Sequence, residues 1–186
     1  MKLRLRFYGD PVLRTKAAPV AAFDDDLRRL AKDMLDLMRA EKGVGLAAQQ
    51  VGETRAICVV DVPPEADVDD RGERENPGLA MPIVLVNPEI ADASKRTESC
   101  EEGCLSFPDI RAAVTRPREI RVRFRDENGA ARDIRADGLV ARAIQHEMDH
   151  LNGVLLADRM SAVKKVALAG RLRRLREETR EALRRA

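Results

Sequence analysis

The chain has no tryptophan, one tyrosine and four phenylalanines, too few aromatic rings for the stacking platforms that bind single-stranded nucleic acid through base contacts. Its three cysteines, Cys58, Cys100 and Cys104, are an odd and sparse set, which sets aside a disulfide framework and suits a reducing compartment. No apolar run approaches the length that spans a bilayer, and the opening MKLRLRFYGD has charges but no apolar signal core. No membrane partner is expected, and the cytoplasm is the expected location. Repeats and low-complexity stretches are missing apart from an arginine-rich tail. An excess of one charge sign is missing too: 34 basic residues face 32 acidic ones, a net +2.

What remains is 186 residues, 44% hydrophobic and 35% charged, the profile of one globular domain spanning 1–186 with a real core. Behind Asp24, Asp25 and Asp26, the residues Leu27, Leu30, Ala31, Met34, Leu35 and Met38 recur at helical spacing and predict a helix ending near Gly43. The runs Ala56–Val60 and Ile83–Val86 predict buried strands, the second stopping at Asn87-Pro88. Between them, the acidic, proline-containing stretch from Asp61 to Pro82 reads as a surface insertion able to cover one side of a cleft. Ile120, Val122 and Phe124 alternate with arginines before the Asn128-Gly129 turn and a shorter partner strand around Ile134, predicting a two-stranded ribbon with one wet face. Asp137 can cap a helix to about Leu151, and a last helix starts near Ser161. This order predicts an α+β fold: mostly antiparallel sheets packed around a central metal-binding helix, with a long C-terminal helix.

The chemistry concentrates in that central helix. His146, Glu147, Met148, Asp149 and His150 match H-E-x-x-H and contain the only two histidines of the chain. Residues four apart share a helix face, so both imidazoles can converge on one metal ion while Glu147 reaches a water as general base. A catalytic site of this kind needs a third protein ligand. Glu177 and Glu178 lie downstream but in an arginine-dense stretch that reads as solvated, so a thiolate is the better donor. Cys104 sits in a glycine-containing turn, Cys100 is a candidate to line a pocket nearby, and Cys58 reads as a buried structural thiol. The stretch Gly43–Gln50 is thin enough for its backbone to pass close to a ligand, and a glutamine at its end can donate an amide N–H to a developing oxyanion. Taken alone, the same residues also read as a helix C-cap followed by a strand of small residues.

GVGLAAQQ at 43–50, EGCLS at 102–106 and QHEMDHLNG at 145–153 resemble, in this order, the three motifs of the peptide deformylase family. The resemblance extends from YGDPVLR to about Arg159 and implies removal of the formyl group from the N-terminal formylmethionine of nascent polypeptides. It implies Cys104, His146 and His150 as metal ligands, with Fe2+ as the metal and Ni2+, Co2+ or Zn2+ as substitutes. It further implies Glu147 as the proton-handling group, and the Gln50 side chain with the Leu105 backbone N–H as the oxyanion hole. Val44, Cys100, Leu139, Ala143, the His146 ring and the aliphatic stem of Arg142 are implied for the methionine slot. Gly45, Ile110 and Arg111 are implied for the peptide, and Glu102 for orienting Gln50 or a nearby donor. The basic tail, 161–186, reads either as a solvated helix or as a contact to ribosomal RNA. Two rival readings are a small metallopeptidase using the same helix and an RNA-binding protein with a closed structural metal site. Glu147 and Gln50 count against the second, because a closed site has no use for a base.

Overall fold

The computed structural model describes residues 3–185. The Asp24 carboxylate accepts the Leu27 N–H at 2.9 Å, an N-cap worth about 1 kcal/mol, and starts α1 (Asp25–Ala40), whose buried face carries Leu27, Leu30, Ala31, Met34 and Met38. There follow β1 (Gly45–Ala47), β2 (Ile57–Val60), β3 (Ile83–Ala93), β4 (Thr97–Cys104), β5 (Phe107–Pro117), β6 (Glu119–Arg125) and β7 (Ala131–Asp137). The helices α2 (Gly138–Leu151), α3 (Leu156–Arg159) and α4 (Ala162–Arg185) close the chain. Five strands form one antiparallel sheet in the order β1-β2-β3-β6-β7, while β4 and β5 form a separate two-stranded sheet.

The unbroken apolar runs of β2 and β3 reflect burial on both faces of the large sheet. Ile57, Val59, Val84 and Val86 point into the cluster that holds Met34 and Met38 of α1. Cys58, Val60, Ile83 and Leu85 point the other way, onto Val140, Ile144 and Met148 of α2. The central helix thus lies against one face of the large sheet and also meets β5, the α+β arrangement expected from the sequence. A third cluster gathers Phe107, Ile110, Ala112 and Val114 of β5 with Leu13, Leu155 and Leu156, and Leu168, Leu172 and Leu175 of α4 pack on it.

Four elements differ from the sequence expectations. β3 runs through Asn87-Pro88 instead of stopping there: Asn87 takes φ 51°, the register shifts between Val86 and Glu89, and the Asn87 side chain bonds both the N–H and the carbonyl of Val20 at 2.8 Å. The motif is a bulge in a continuous strand. The β6–β7 ribbon is not free-standing, because β6 also pairs with β3, and its two strands are equally long. The hairpin β4–β5 went unread, since its residues are mostly charged or small. Finally, the stretch Asp61–Pro82 folds back onto the start of α2. Asn76 is buried, donates to Asp67 Oδ1 at 2.5 Å, and exchanges bonds with the backbone of Asp137, the α2 N-cap, at 2.9 and 3.1 Å. Among the described residues, none of this stretch lines the cleft described below.

Candidate metal centre and cleft

The Asp137 carboxylate accepts the Gly138 N–H at 2.6 Å and starts α2, which sets His146, Glu147 and His150 on the side turned toward β1 and the hairpin. Cys104 ends β4, where the strand gives way to the two-residue turn Leu105-Ser106. The ligand atoms of Cys104, His146 and His150 lie within 4.8 Å of one another, and Cys104 Sγ is 3.2 Å from His150 Nε2. Glu177 and Glu178, the alternative third donors, are on α4 and outside this group.

The surroundings fit a bound cation. His146 Nδ1 donates to Glu102 Oε2 at 2.9 Å, which fixes the ring and leaves Nε2 as the ligating atom. Burial would lower the His146 pKa, yet hydrogen bonding to Cys104 and Glu102 outweighs it and holds the ring well above the usual range. Partners that draw a proton to this spot draw a metal cation for the same reason. Burial pushes His150 well below the usual range, assisted by the charges of His146 and Arg116, a direction that favours the neutral imidazole, the form that ligates a metal. The donor set, one thiolate and two imidazoles, suits iron, cobalt, nickel or zinc better than magnesium or calcium.

Glu102 anchors more than one group. Burial alone would raise its carboxyl, but hydrogen bonds from His146 and Arg116 and the Arg116 charge hold it at about 2. Arg116 meets it through Nε at 2.7 Å and Nη2 at 2.9 Å, Arg142 Nη1 adds a bond of 2.8 Å, and Arg116 Nη1 reaches Asp149 at 2.9 Å. The donor that Glu102 orients is therefore His146, while Gln50 is held by other means. The Ala47 N–H donates to Gln50 Oε1 at 2.8 Å, so the amide must present Nε2, which points at Cys104 Sγ (3.5 Å) and Ser106 Oγ (3.3 Å). Gln49, its neighbour, turns away and donates to the Thr15 carbonyl. The Leu105 N–H has no acceptor among the backbone hydrogen bonds of the described residues.

Glu147 is 4% exposed; burial raises its carboxyl to about 7 against the lowering pull of His146 and Arg116, and its Oε2 has no protein partner among the described residues. The thin segment at Gly43–Gln50 acquires a definite purpose here. A Cβ on Gly45 would stand 2.3 Å from Glu147 Oε1, so the missing side chain makes room for this carboxylate.

These groups open on a cleft of about 870 Å³. Val44, Gly45, Ile110, Arg111, Leu139, Arg142 and Ala143 line it together with Gln50, Cys104, Leu105, His146 and Glu147. Cys100, placed in the methionine slot by resemblance, is not part of this lining; it shares the inward face of β4 with Glu102 and Cys104, opposite Val114. Leu5 and Phe7 of the N-terminal segment do line the cleft and were not anticipated. Arg116, 4% exposed, was also missed. Its signal is the alternation Ile110, Ala112, Val114, Arg116 along one face of β5, legible only once that strand is assigned.

The family model described as Polypeptide deformylase matches residues 2–166. The peptide deformylase of Opitutus terrae is 46% identical over 187 residues, covering 98% of this chain and 97% of that protein. Among solved structures, the peptide deformylase of Plasmodium falciparum superposes with TM-score 0.84 at 33% identity, covering 96% of this chain and 98% of that one. Peptide deformylase 1B of Arabidopsis thaliana, in complex with an inhibitor, gives TM-score 0.84 at 38% identity, covering 97% and 93%.

Proposed function

The chain belongs to the peptide deformylase family, metal-dependent hydrolases that remove the formyl group from the N-terminal formylmethionine of newly synthesised polypeptides, and on that premise we propose that Cys104, His146 and His150 hold its metal while Glu147, Gln50 and the Leu105 N–H carry the reaction. The observation that supports this most is the convergence of one cysteine and two histidines within 4.8 Å beside a cleft. Fe2+ is the proposed metal, and the ligand set also accepts Ni2+, Co2+ or Zn2+. When bound, the cation supplies Lewis acidity, lowering the pKa of water and polarising the formyl carbonyl.

The protein's own groups do the rest. Glu147, enclosed and with Oε2 unpartnered, takes the proton of the attacking water and hands it to the leaving amine. As the carbonyl oxygen gains charge, Gln50 Nε2 and the Leu105 N–H donate to it; removing one such donor commonly costs about 3 to 4 kcal/mol of transition-state stabilisation. Val44, Leu139, Ala143 and the His146 ring take the methionine side chain. The peptide backbone lies between β1, an edge strand, and β5, where Gly45 and Ile110 meet it by strand addition and Arg111 flanks it. Cys100, on the inward face of β4 two residues before Glu102, is proposed for the outer edge of the methionine slot.

No helix among the described residues is long and apolar enough to cross a membrane. The three unpaired cysteines and the nascent-chain substrate support a cytoplasmic setting. On the outward side of α4, arginines and lysines outnumber glutamates, which supports phosphate contacts with ribosomal RNA. Its leucines pack on the β5 cluster, which supports reading 1–186 as one domain.

Formate release from formyl-Met-Ala-Ser by protein loaded anaerobically with Fe2+ or Ni2+ tests the reaction. Wild-type turnover, severely reduced in Glu147→Ala and Cys104→Ala, is expected; metal-loaded wild type without turnover refutes it. Ribosome co-sedimentation of the wild type and of an Arg173→Glu, Arg180→Glu, Arg184→Glu variant tests the tail.

A further inference from the structure

Arg142 stands in the cleft wall one helical turn before His146, beside Leu139 and Ala143. It is a cation, 8% exposed, in a wall where Val44, Leu139 and Ala143 are apolar. Protein acceptors hold part of its guanidinium: Nη1 donates to Glu102 Oε1 at 2.8 Å and to the Val114 carbonyl at 2.9 Å, and Nη2 donates to the Glu98 carbonyl at 2.9 Å. A guanidinium carries five N–H groups in one rigid plane, so Nε–H and one N–H of Nη2 have no protein acceptor among the described residues. Nε is also absent from the enclosed side-chain atoms left without a partner among the described residues, so it keeps some exposure on a residue that lines the cleft.

A pocket for a thioether has little use for such an edge, because divalent sulfur is a weak acceptor. A sulfoxide is different: oxidation converts methionine to a polar side chain of nearly the same length whose S=O accepts strongly. An all-apolar slot would leave that oxygen desolvated and unpaired; Arg142 offers it a charged donor already fixed by three bonds. Resting on the deformylase reading, we propose that Arg142 is a specificity-determining contact that lets this enzyme deformylate chains beginning with formyl-methionine sulfoxide as well as formyl-methionine. The reaction itself is unchanged. Water cleaves the formyl C–N bond, formate leaves, the amine takes the proton, and the sulfur is neither oxidised nor reduced.

Formate release from formyl-Met-Ala-Ser, its sulfoxide and the norleucine analogue would be compared in metal-loaded wild type, Arg142→Leu and Arg142→Lys. In the wild type, kcat/KM for the sulfoxide is expected within about 100-fold of the thioether. In Arg142→Leu the sulfoxide-to-norleucine ratio is expected to fall about 10- to 100-fold, the worth of one hydrogen bond to a charged group. The ratio is taken within one preparation, so any loss of folded or metallated enzyme cancels; should Arg142→Leu yield no soluble protein, Arg142→Lys, which loses the planar edge, supplies the ratio. A wild type that turns over the thioether but is slower than that limit on the sulfoxide overturns the inference and leaves the deformylase reading intact, as does an unchanged ratio in the variant. No formate from the thioether peptide overturns the reading beneath it.

Discussion

Replacing Gly45 by alanine would bring a methyl carbon to 2.3 Å from Glu147 Oε1 and 2.9 Å from its Cδ and Cγ, where ordinary contact begins at 3.4 Å. The three nearest atoms all belong to Glu147, so the carboxylate yields, by about 1 Å, and not the backbone. Overpacking of this kind costs about 1 to 3 kcal/mol of stability, which a folded domain tolerates. A proton-transferring group is less tolerant, since a 1 Å misplacement is worth about 100-fold in rate. Gly45→Ala is therefore expected to bind metal as the wild type does, by elemental analysis, while kcat drops about 100-fold in an assay that couples formate to NADH production. The double variant Gly45→Ala, Glu147→Ala should be no slower than Glu147→Ala alone, because both act through one carboxylate. Retention of kcat within threefold, or losses that multiply in the double variant, would refute the claim that Gly45 exists to house Glu147.

Arg116→Met leaves the buried Glu102 with only Arg142 and His146; a loss of about 3 to 5 kcal/mol in urea unfolding is expected, together with 10- to 100-fold weaker metal affinity through the slackened His146. A stability change under 1 kcal/mol would show that Arg116 is dispensable. Gln50→Ala removes an oxyanion donor while leaving all three metal ligands in place, so kcat should fall about 100- to 1000-fold, compared at equal metal content. Asp158 accepts the Leu155 N–H at 2.8 Å and pairs with Arg14; burial would raise its carboxyl, but the Arg14 hydrogen bond and the backbone bond outweigh it and lower it. A depressed carboxylate stabilises the fold above its unfolded pKa and loses that contribution as pH falls through the folded value. The advantage of wild type over Asp158→Asn in urea midpoints should accordingly be present at pH 7 and vanish in acid.

The reactive residues were legible early because their spacing is local: His146, Glu147 and His150 need only a helix, and Asp137 announces where it starts. The α1 face and the Asn128-Gly129 turn were legible for the same reason. The hairpin β4–β5 was not, because its inward residues include Glu102, Cys104 and Arg116, polar groups that mask a strand alternation. The orienting role of Glu102 came from its motif alone, and its partners His146, Arg142 and Arg116 needed the fold, being 44, 40 and 14 residues away. Asn87-Pro88 reads as a stop by local rules, yet Val20 supplies the acceptor and donor that let the strand continue through a bulge. The sterics at Gly45 needed the position of Glu147, which belongs to another element altogether.

Gln50 and Cys104 are 54 residues apart, and Cys104 and His150 another 46. No fragment that folds by local rules alone brings amide, thiol and imidazoles together, and the loops between them must close first. His150 is the last of the set to be synthesised, so while this chain is itself being made its thiol, its amide and its imidazoles remain strangers. The centre therefore exists only once the segment after β1, the end of β4 and α2 have met, and a partly folded chain carries its ligands without the site.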